Sequence, residues 1–251
     1  MKKYFVFVLL FITACQSAVV VPPEFEYKEI KAGKFTLASW QKISDLNAPL
    51  KIYIEGDGRA FTASGRVSAN PTPRGTLVRK LAFGDNNPNV VYLARPCQFV
   101  KTPECAAKYW SEARFAPEVI ESSAVAIRSL AQNRPVVLVG YSGGAQIAGL
   151  TSVIHPEIKV KKLITIAGNL DHVAWMKYHH LPMLDKSLNL SDYKAEFRLI
   201  PQIHYVGEKD DIIPPKLTYE FTNNQSLIRE IEGASHGSGW EGAYPYIRAE
   251  Y

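Results

Sequence analysis

Hydrophobic and polar positions change period along this chain in a repeating order. Glu26-Tyr-Lys-Glu-Ile-Lys and Lys34-Phe-Thr-Leu-Ala-Ser-Trp alternate around Ala32-Gly33, which predicts an antiparallel hairpin. Largely apolar runs then recur at Leu50–Ile54, Val90–Ala94, Val136–Val139, Lys162–Ala167, Gln202–Val206 and Leu227–Ile231, and read as strands. Between them the spacing turns helical. Helices are predicted at about 76–83, at 112–132 (Val119, Ile120, Ala124, Ile127, Leu130), after Gly144 (Ile147, Leu150, Ile154), near 215–223 and from Trp240 to Tyr251. Ser64 to Gly75 is turn-rich, and from Leu170 to Leu199 the pattern loosens into an insertion. Strands alternating with helices after one hairpin imply an α/β fold, its mostly parallel sheet covered on both faces. Such a sheet leaves its chemistry to loops at the strand carboxyl ends, where Ser142, Asp210 and His236 all fall.

The stretch Val136-Val-Leu-Val-Gly-Tyr-Ser-Gly-Gly is a strand meeting a tight turn with a serine at its apex. A nucleophilic serine must stand clear of the sheet, which forces a strained turn and leaves no room for side chains at Gly140 and Gly144. The following helix start aims backbone N–H groups and its dipole at any oxyanion formed beside Ser142. Taken alone, the pattern also fits a glycine-rich connection in another α/β protein.

The 251 residues suit one large domain or two small ones, and a formal charge of +5 is too mild and dispersed for a nucleic-acid face. Lys159, Lys161 and Lys162 form the densest basic cluster and read as a solvated strand edge. Residues 1–14 combine a basic start, an apolar run too short to span a bilayer, and small residues before Cys15, as a secretion signal does. Ile12-Thr13-Ala14-Cys15 resembles a bacterial lipobox, with plain signal cleavage as the other reading. That resemblance implies lipidation of Cys15, a tether over 15–24, and, with Gln16 next, an outer-membrane lipoprotein facing the periplasm. In an oxidising compartment Cys97 and Cys105 suit a disulfide closing a small loop, against two free buried thiols. His172, His179 and His180 lack metal-ligand spacing, and no metal or organic cofactor is expected.

Serine needs a base, and the base an orienting acid. After Ser142 the chain offers Asp210 or Asp211 at a strand end, then His236 in Gly-Ala-Ser-His-Gly. Asp171 is a further acid, read as ordering the start of the insertion. This order resembles the α/β-hydrolase superfamily over nearly all of 25–251. More narrowly, the chain is similar to exported proteobacterial hydrolases at Ile54-Glu-Gly-Asp-Gly58, Tyr109-Trp-Ser-Glu-Ala-Arg-Phe115, Gly140-Tyr-Ser-Gly-Gly144, Leu170-Asp-His-Val-Ala-Trp175 and His204-Tyr-Val-Gly-Glu-Lys-Asp210.

The resemblance implies Asp210 over Asp211, because Gly207 and Pro214 frame it as G-x-x-D-x-x-I-P. By position it assigns the oxyanion hole to the backbone N–H groups of Gly143 and Asp57. Where the superfamily has His-Gly the chain has Glu55-Gly56, and the Asp57 carboxylate must turn away from the oxyanion. Tyr109, Trp110 and Arg114 either line a pocket or pin the cysteine loop. Trp175 and Met176 are expected on a lid at about 170–200. The expectation is a serine hydrolase acting on a small-molecule acyl substrate, an ester before a peptide, attached to the membrane at Cys15. The alternative is a non-catalytic hydrolase-fold lipoprotein binding a ligand or envelope partner.

Overall fold

The computed structural model describes residues 19–251. The expected signal segment, Cys15 and Gln16 lie outside the described residues. The chain builds one sheet from β1 (Glu26–Ala32), β2 (Phe35–Ile43), β3 (Leu50–Ile54), β4 (Asn89–Leu93), β5 (Val136–Tyr141), β6 (Val160–Ile166), β7 (Gln202–Gly207) and β8 (Ile228–Ile231), in the order β1-β2-β4-β3-β5-β6-β7-β8. β2 runs antiparallel to β1 and β4, and every other pair is parallel. The pairings Ile54↔Gly140 and Tyr141↔Ile166 bring the carboxyl ends of β3, β5 and β6 to one edge.

The helices among the described residues are α1 (Leu77–Phe83), α2 (Pro117–Ala131), α3 (Gly143–Ile154), α4 (His172–Tyr178), α5 (Lys194–Phe197), α6 (Pro215–Thr222) and α7 (Tyr244–Ala249). Alternate strand residues feed two cores, as the pleat requires. Leu50, Ile52, Val136 and Leu138 pack with α2 and α3, while Tyr53, Val137 and Val139 pack with α1 and α7. Burial on both faces is why β3, β4 and β5 read as near-continuous apolar runs.

Lys51 breaks that run and is fully buried. Its Nζ donates to the carbonyls of Ile247 (3.0 Å), Arg248 (2.8 Å) and Glu250 (2.9 Å), which α7 leaves without partners at its end. Burial pushes this ammonium below the usual lysine range, and Asp85 at 3.4 Å offsets only part of that.

Three expectations are corrected. α2 starts at Pro117 rather than 112, because the proline forces Ala116 into an extended conformation and itself suits a first helical position. The closing helix keeps only Tyr244–Ala249, after a 3₁₀ turn at Glu241–Ala243, and Glu250 leaves it extended. The lysines at 159–162 border no sheet edge, since β6 lies between β5 and β7, although Lys159 and Lys161 are solvated as expected and only Lys162 pairs with Glu250. Among the described residues no helix is long and apolar enough to cross a membrane.

Candidate active site

The turn between β5 and α3 holds Ser142 at φ 51°, ψ −122°, a conformation that costs a non-glycine residue on the order of 1–3 kcal/mol and persists only when its surroundings enforce it. They do. The Ser142 N–H donates to the Ile166 carbonyl at 3.0 Å, and its own carbonyl accepts from Ala145 (3.1 Å) and Asn169 (3.0 Å). A Cβ at Gly140 would meet the Ala145 Cα at 2.6 Å, and one at Gly144 would meet the carbonyl oxygens of Ile54 and Glu55 at 2.5 and 2.7 Å. The spacing of the two glycines around the serine therefore follows from how closely β5, α3 and the end of β3 approach.

Two loops bring up a histidine and an acid. Past β7, Asp210 is buried and its Oδ1 accepts from the backbone N–H groups of Ile212 (2.9 Å) and Ile213 (2.8 Å). Its Oδ2 lies 2.9 Å from His236 Nδ1, and His236 Nε2 lies 3.0 Å from Ser142 Oγ. A carboxylate at Nδ1 calls for a proton there, which leaves Nε2 free to accept from the serine hydroxyl. The histidine loop is pinned twice: the fully buried Trp240 donates from Nε1 to the Ser235 carbonyl (2.8 Å), and the Tyr141 hydroxyl donates to the His236 carbonyl (3.0 Å). Asp211 is exposed. Asp171 instead caps α4, accepting from Val173 and Ala174 at 3.0 Å each, as expected of a residue that orders the insertion.

The segment after β3 carries the other half of the site. Asp57 and Gly143 line one cleft with Ser142 and His236, and among the described residues neither backbone N–H has an acceptor. The Asp57 carboxylate lies beside Gly143 but is gripped by two guanidiniums, Oδ1 by Arg95 and Oδ2 by Arg114 at 2.8 Å. Burial alone would raise its pKa; the arginines outweigh that and hold it below the usual aspartate value. Glu55 is buried, its Oε2 accepting from the Tyr92 hydroxyl (2.7 Å) and Oε1 from the Gly56 N–H (2.9 Å), and burial raises its pKa. Through these bonds it ties the loop to β4.

Cys97 and Cys105 are disulfide-bonded. Inside that loop Gln98 donates to the Gly56 carbonyl (2.9 Å) and accepts from the Arg95 N–H (3.1 Å), so the disulfide braces the segment holding Asp57. Arg95, Gln98, Tyr92 and Trp240 escape the sequence reading of the site. The available signal was Arg95 closing a buried strand at the same sheet edge as Ser142. Tyr109 and Trp110 pack rather than line the cleft: the Tyr109 hydroxyl donates to Glu118 (2.9 Å) and Trp110 Nε1 to the Ser68 carbonyl (2.9 Å). Arg114 does reach the cleft. Of the three histidines at 172–180, His172 is buried with Nε2 3.2 Å from the Leu188 carbonyl, His179 meets the Ile212 carbonyl (2.9 Å), and His180 is exposed.

The cleft holds about 900 Å³. Because β3 and β6 flank β5, its walls rise on opposite sides of Ser142. The wall from the insertion and the acid loop is apolar, carrying Trp175, Met176, Leu181, Met183, Ile212 and Ile213. Trp175 Nε1 donates to the Ile212 carbonyl (2.5 Å), which joins α4 to the loop that orients Asp210. The opposite wall, from the segment after β3, mixes Phe61, Leu77 and Val78 with Arg59 and Arg74.

The chain has the α/β-hydrolase fold. Est1E from Butyrivibrio proteoclasticus is similar at a TM-score of 0.61 and 13% identity, over 88% of this chain and 96% of that one. A serine hydrolase without a lid from Xanthomonas campestris is similar at 0.53 and 12%, over 90% and 91% of the two chains. The thioesterase domain from the curacin biosynthetic pathway is similar at 0.58 and 12%, over 90% and 98%. At these identities the likeness concerns the fold. Neither a family model nor a curated protein matches the sequence.

Proposed function

We propose that this protein is a serine hydrolase that cleaves a carboxylic ester or related acyl substrate through an acyl-enzyme. The observation that carries the reading is the continuous chain from Ser142 Oγ to His236 Nε2 (3.0 Å) and from His236 Nδ1 to Asp210 Oδ2 (2.9 Å), opening into a largely apolar cleft. Ser142 attacks the carbonyl carbon as His236 takes its proton, and Asp210 holds the imidazole and stabilises its charged form. The N–H groups of Asp57 and Gly143 receive the oxyanion, and the neutralised Asp57 carboxylate does not oppose it. His236 returns the proton to the departing oxygen or sulfur, and water repeats the sequence to free the acid. Thioester hydrolysis, the chemistry named for one of the structurally similar domains, belongs to the same class. The non-catalytic alternative has less support, since a pure binder has no need of a serine within hydrogen-bond reach of a carboxylate-oriented histidine.

The reading includes attachment to the periplasmic face of the outer membrane through lipid at Cys15, supported by the lipobox-like Ile12-Thr13-Ala14-Cys15. The test of the chemistry is labelling by a fluorophosphonate probe. The parent labels, while Ser142→Ala and His236→Ala, melting near the parent temperature, do not, and Ser142→Ala loses at least about 10⁴-fold in kcat. A folded parent that fails to label, or a Ser142→Ala variant that labels equally, overturns the assignment.

A further inference from the structure

The two walls of the cleft differ in charge as well as polarity. Among the described residues eight of the eleven arginines have side-chain partners: Arg66, Arg79, Arg95, Arg114, Arg128, Arg134, Arg229 and Arg248 each donate to a carbonyl, carboxylate, ring nitrogen or hydroxyl. Among the described residues Arg59, Arg74 and Arg198 make no such bond and no ion pair, and the first two line the cleft. The carboxylates along the cleft are all engaged. Asp57 faces Arg95 and Arg114, Glu55 faces Tyr92 and Gly56, and Glu112 accepts from the Ser111 hydroxyl and lies 3.5 Å from Lys186. Positive charge on the wall after β3 is thus unbalanced. Arg59 also sits on fixed backbone, its N–H donating to the Pro71 carbonyl at 2.9 Å and its carbonyl accepting from the Ser68 hydroxyl.

Across Ser142 the insertion wall offers hydrocarbon contact without a charged group, from Trp175 and Met176 to Leu181, Met183, Ile212 and Ile213. At about 900 Å³ the cleft is far larger than a short acyl group would fill. A substrate lying across the serine meets hydrocarbon on one side and two uncommitted guanidiniums on the other. Guanidinium groups match phosphate oxygens in geometry and charge.

We propose, resting on the hydrolase reading above, that the substrate is an amphiphilic ester or thioester with a long apolar acyl chain on the insertion wall and a phosphate-bearing leaving group held by Arg59 and Arg74. In the first step the Ser142 Oγ–carbonyl bond forms and the carbonyl–oxygen or carbonyl–sulfur bond breaks, and the proton that His236 took from Ser142 passes to the leaving group. Water then releases the fatty acid and restores the serine. The products are one carboxylic acid and one phosphate-bearing alcohol or thiol. Arg59 and Arg74 are specificity-determining residues, outside the proton-transfer chain.

Two matched substrate pairs test this on the mature protein, each below its micellar concentration. 1-Oleoylglycerol is compared with its 3-phosphate, and the oleoyl thioester of N-acetylcysteamine with oleoyl-coenzyme A. The phosphate-bearing member of at least one pair has a kcat/KM about tenfold or more above its partner, and the pair that shows it identifies the carrier of the phosphate. The preference shrinks as ionic strength rises, because the arginines are solvent-accessible. It falls to about one in Arg59→Gln/Arg74→Gln, with a melting temperature and a fluorophosphonate labelling rate that verify folding. Along a series of acyl lengths, kcat/KM rises by up to about fourfold per buried methylene. Equal kcat/KM within both pairs, or a preference that survives in the double variant, overturns the proposal. Ser142 labelling separates the two readings: a labelled enzyme without phosphate preference removes this inference alone, whereas an unlabelled folded enzyme removes the hydrolase reading as well.

Discussion

A serine hydroxyl is about as acidic as water, so its reactivity depends on where one imidazole stands and which of its nitrogens holds the proton. On the proposed reading both depend here on a single carboxylate. Asp210 spends one oxygen on two backbone N–H groups of its own loop and the other on His236, so its orientation is fixed before any substrate arrives. Asparagine at 210 can present an N–H to Nδ1 and favour the wrong tautomer, and kcat is expected to fall by roughly 10⁴-fold with little change in KM. Asp211, the exposed neighbour, serves as the control, and Asp211→Asn should stay within about twofold of the parent. Comparable losses in the two variants would reassign the acid. At this scale the meeting of Ser142, Asp210 and His236 within hydrogen-bond distance was legible, because short local patterns surround each of them. The sequence was silent on Arg95 and Gln98. Their partners Asp57 and Gly56 lie 38 and 42 positions away, and a polar contact across that distance leaves no period to read.

At the scale of elements, the disulfide loop and the segment after β3 behave as one brace. The bond joins cysteines 8 positions apart, and closing so short a loop stabilises the fold by about 2–3 kcal/mol through the entropy of the unfolded chain. Gln98, next to Cys97, carries that order to the Gly56 carbonyl and so to the Asp57 N–H. Cys97→Ser/Cys105→Ser should therefore lower the melting temperature by about 5–10 °C and also lower kcat by about tenfold, since a loosened oxyanion donor is a poorer one. A fall in melting temperature with unchanged kcat would show that the brace stops short of the site. The central strands β3, β4 and β5 were legible because two-sided burial writes each as a compact apolar run, and the opening hairpin because its two strands alternate around Ala32-Gly33. The boundary of α2 was misplaced because apolar spacing continues through 112–116, whereas Pro117 sets the helix start on steric grounds. The end of the closing helix was misplaced for a different reason: its last carbonyls are taken by Lys51 of β3, a contact across 196 to 199 positions that leaves no local pattern.

For the whole molecule, the polar groups inside the sheet decide how it tolerates acid. His204 lies on β7 within the sheet, wholly buried, with Nδ1 2.8 Å from the Thr165 hydroxyl and Nε2 2.9 Å from Gln202 Oε1. The Gln202 amide nitrogen already donates to the carbonyls of Phe197 and Ile200, so its oxygen faces the ring and Nε2 is the nitrogen that carries the proton. Thr165 then donates to Nδ1, and the neutral imidazole is fully satisfied. A second proton would meet a buried site with no anion to receive it, and burial lowers the pKa from 6.5 to about 4. The sign follows from linkage. Between about pH 6.5 and 4 the unfolded chain binds this proton and the folded one refuses it, so the contribution to stability is complete above 6.5 and is lost as pH falls towards 4. The loss amounts to about 3 kcal/mol, a large share of the stability of an ordinary domain. His204→Gln removes the titrating group while keeping an amide able to donate and accept. It is expected to melt below the parent at pH 7.5, with the gap narrowing steadily as the pH is lowered to 4.5. Carboxylates elsewhere affect both proteins alike and cancel in that difference. A gap that stays constant across the range would mean that His204 takes up its proton without unfolding the sheet, and the acid sensitivity would then lie with the carboxylates of the cleft.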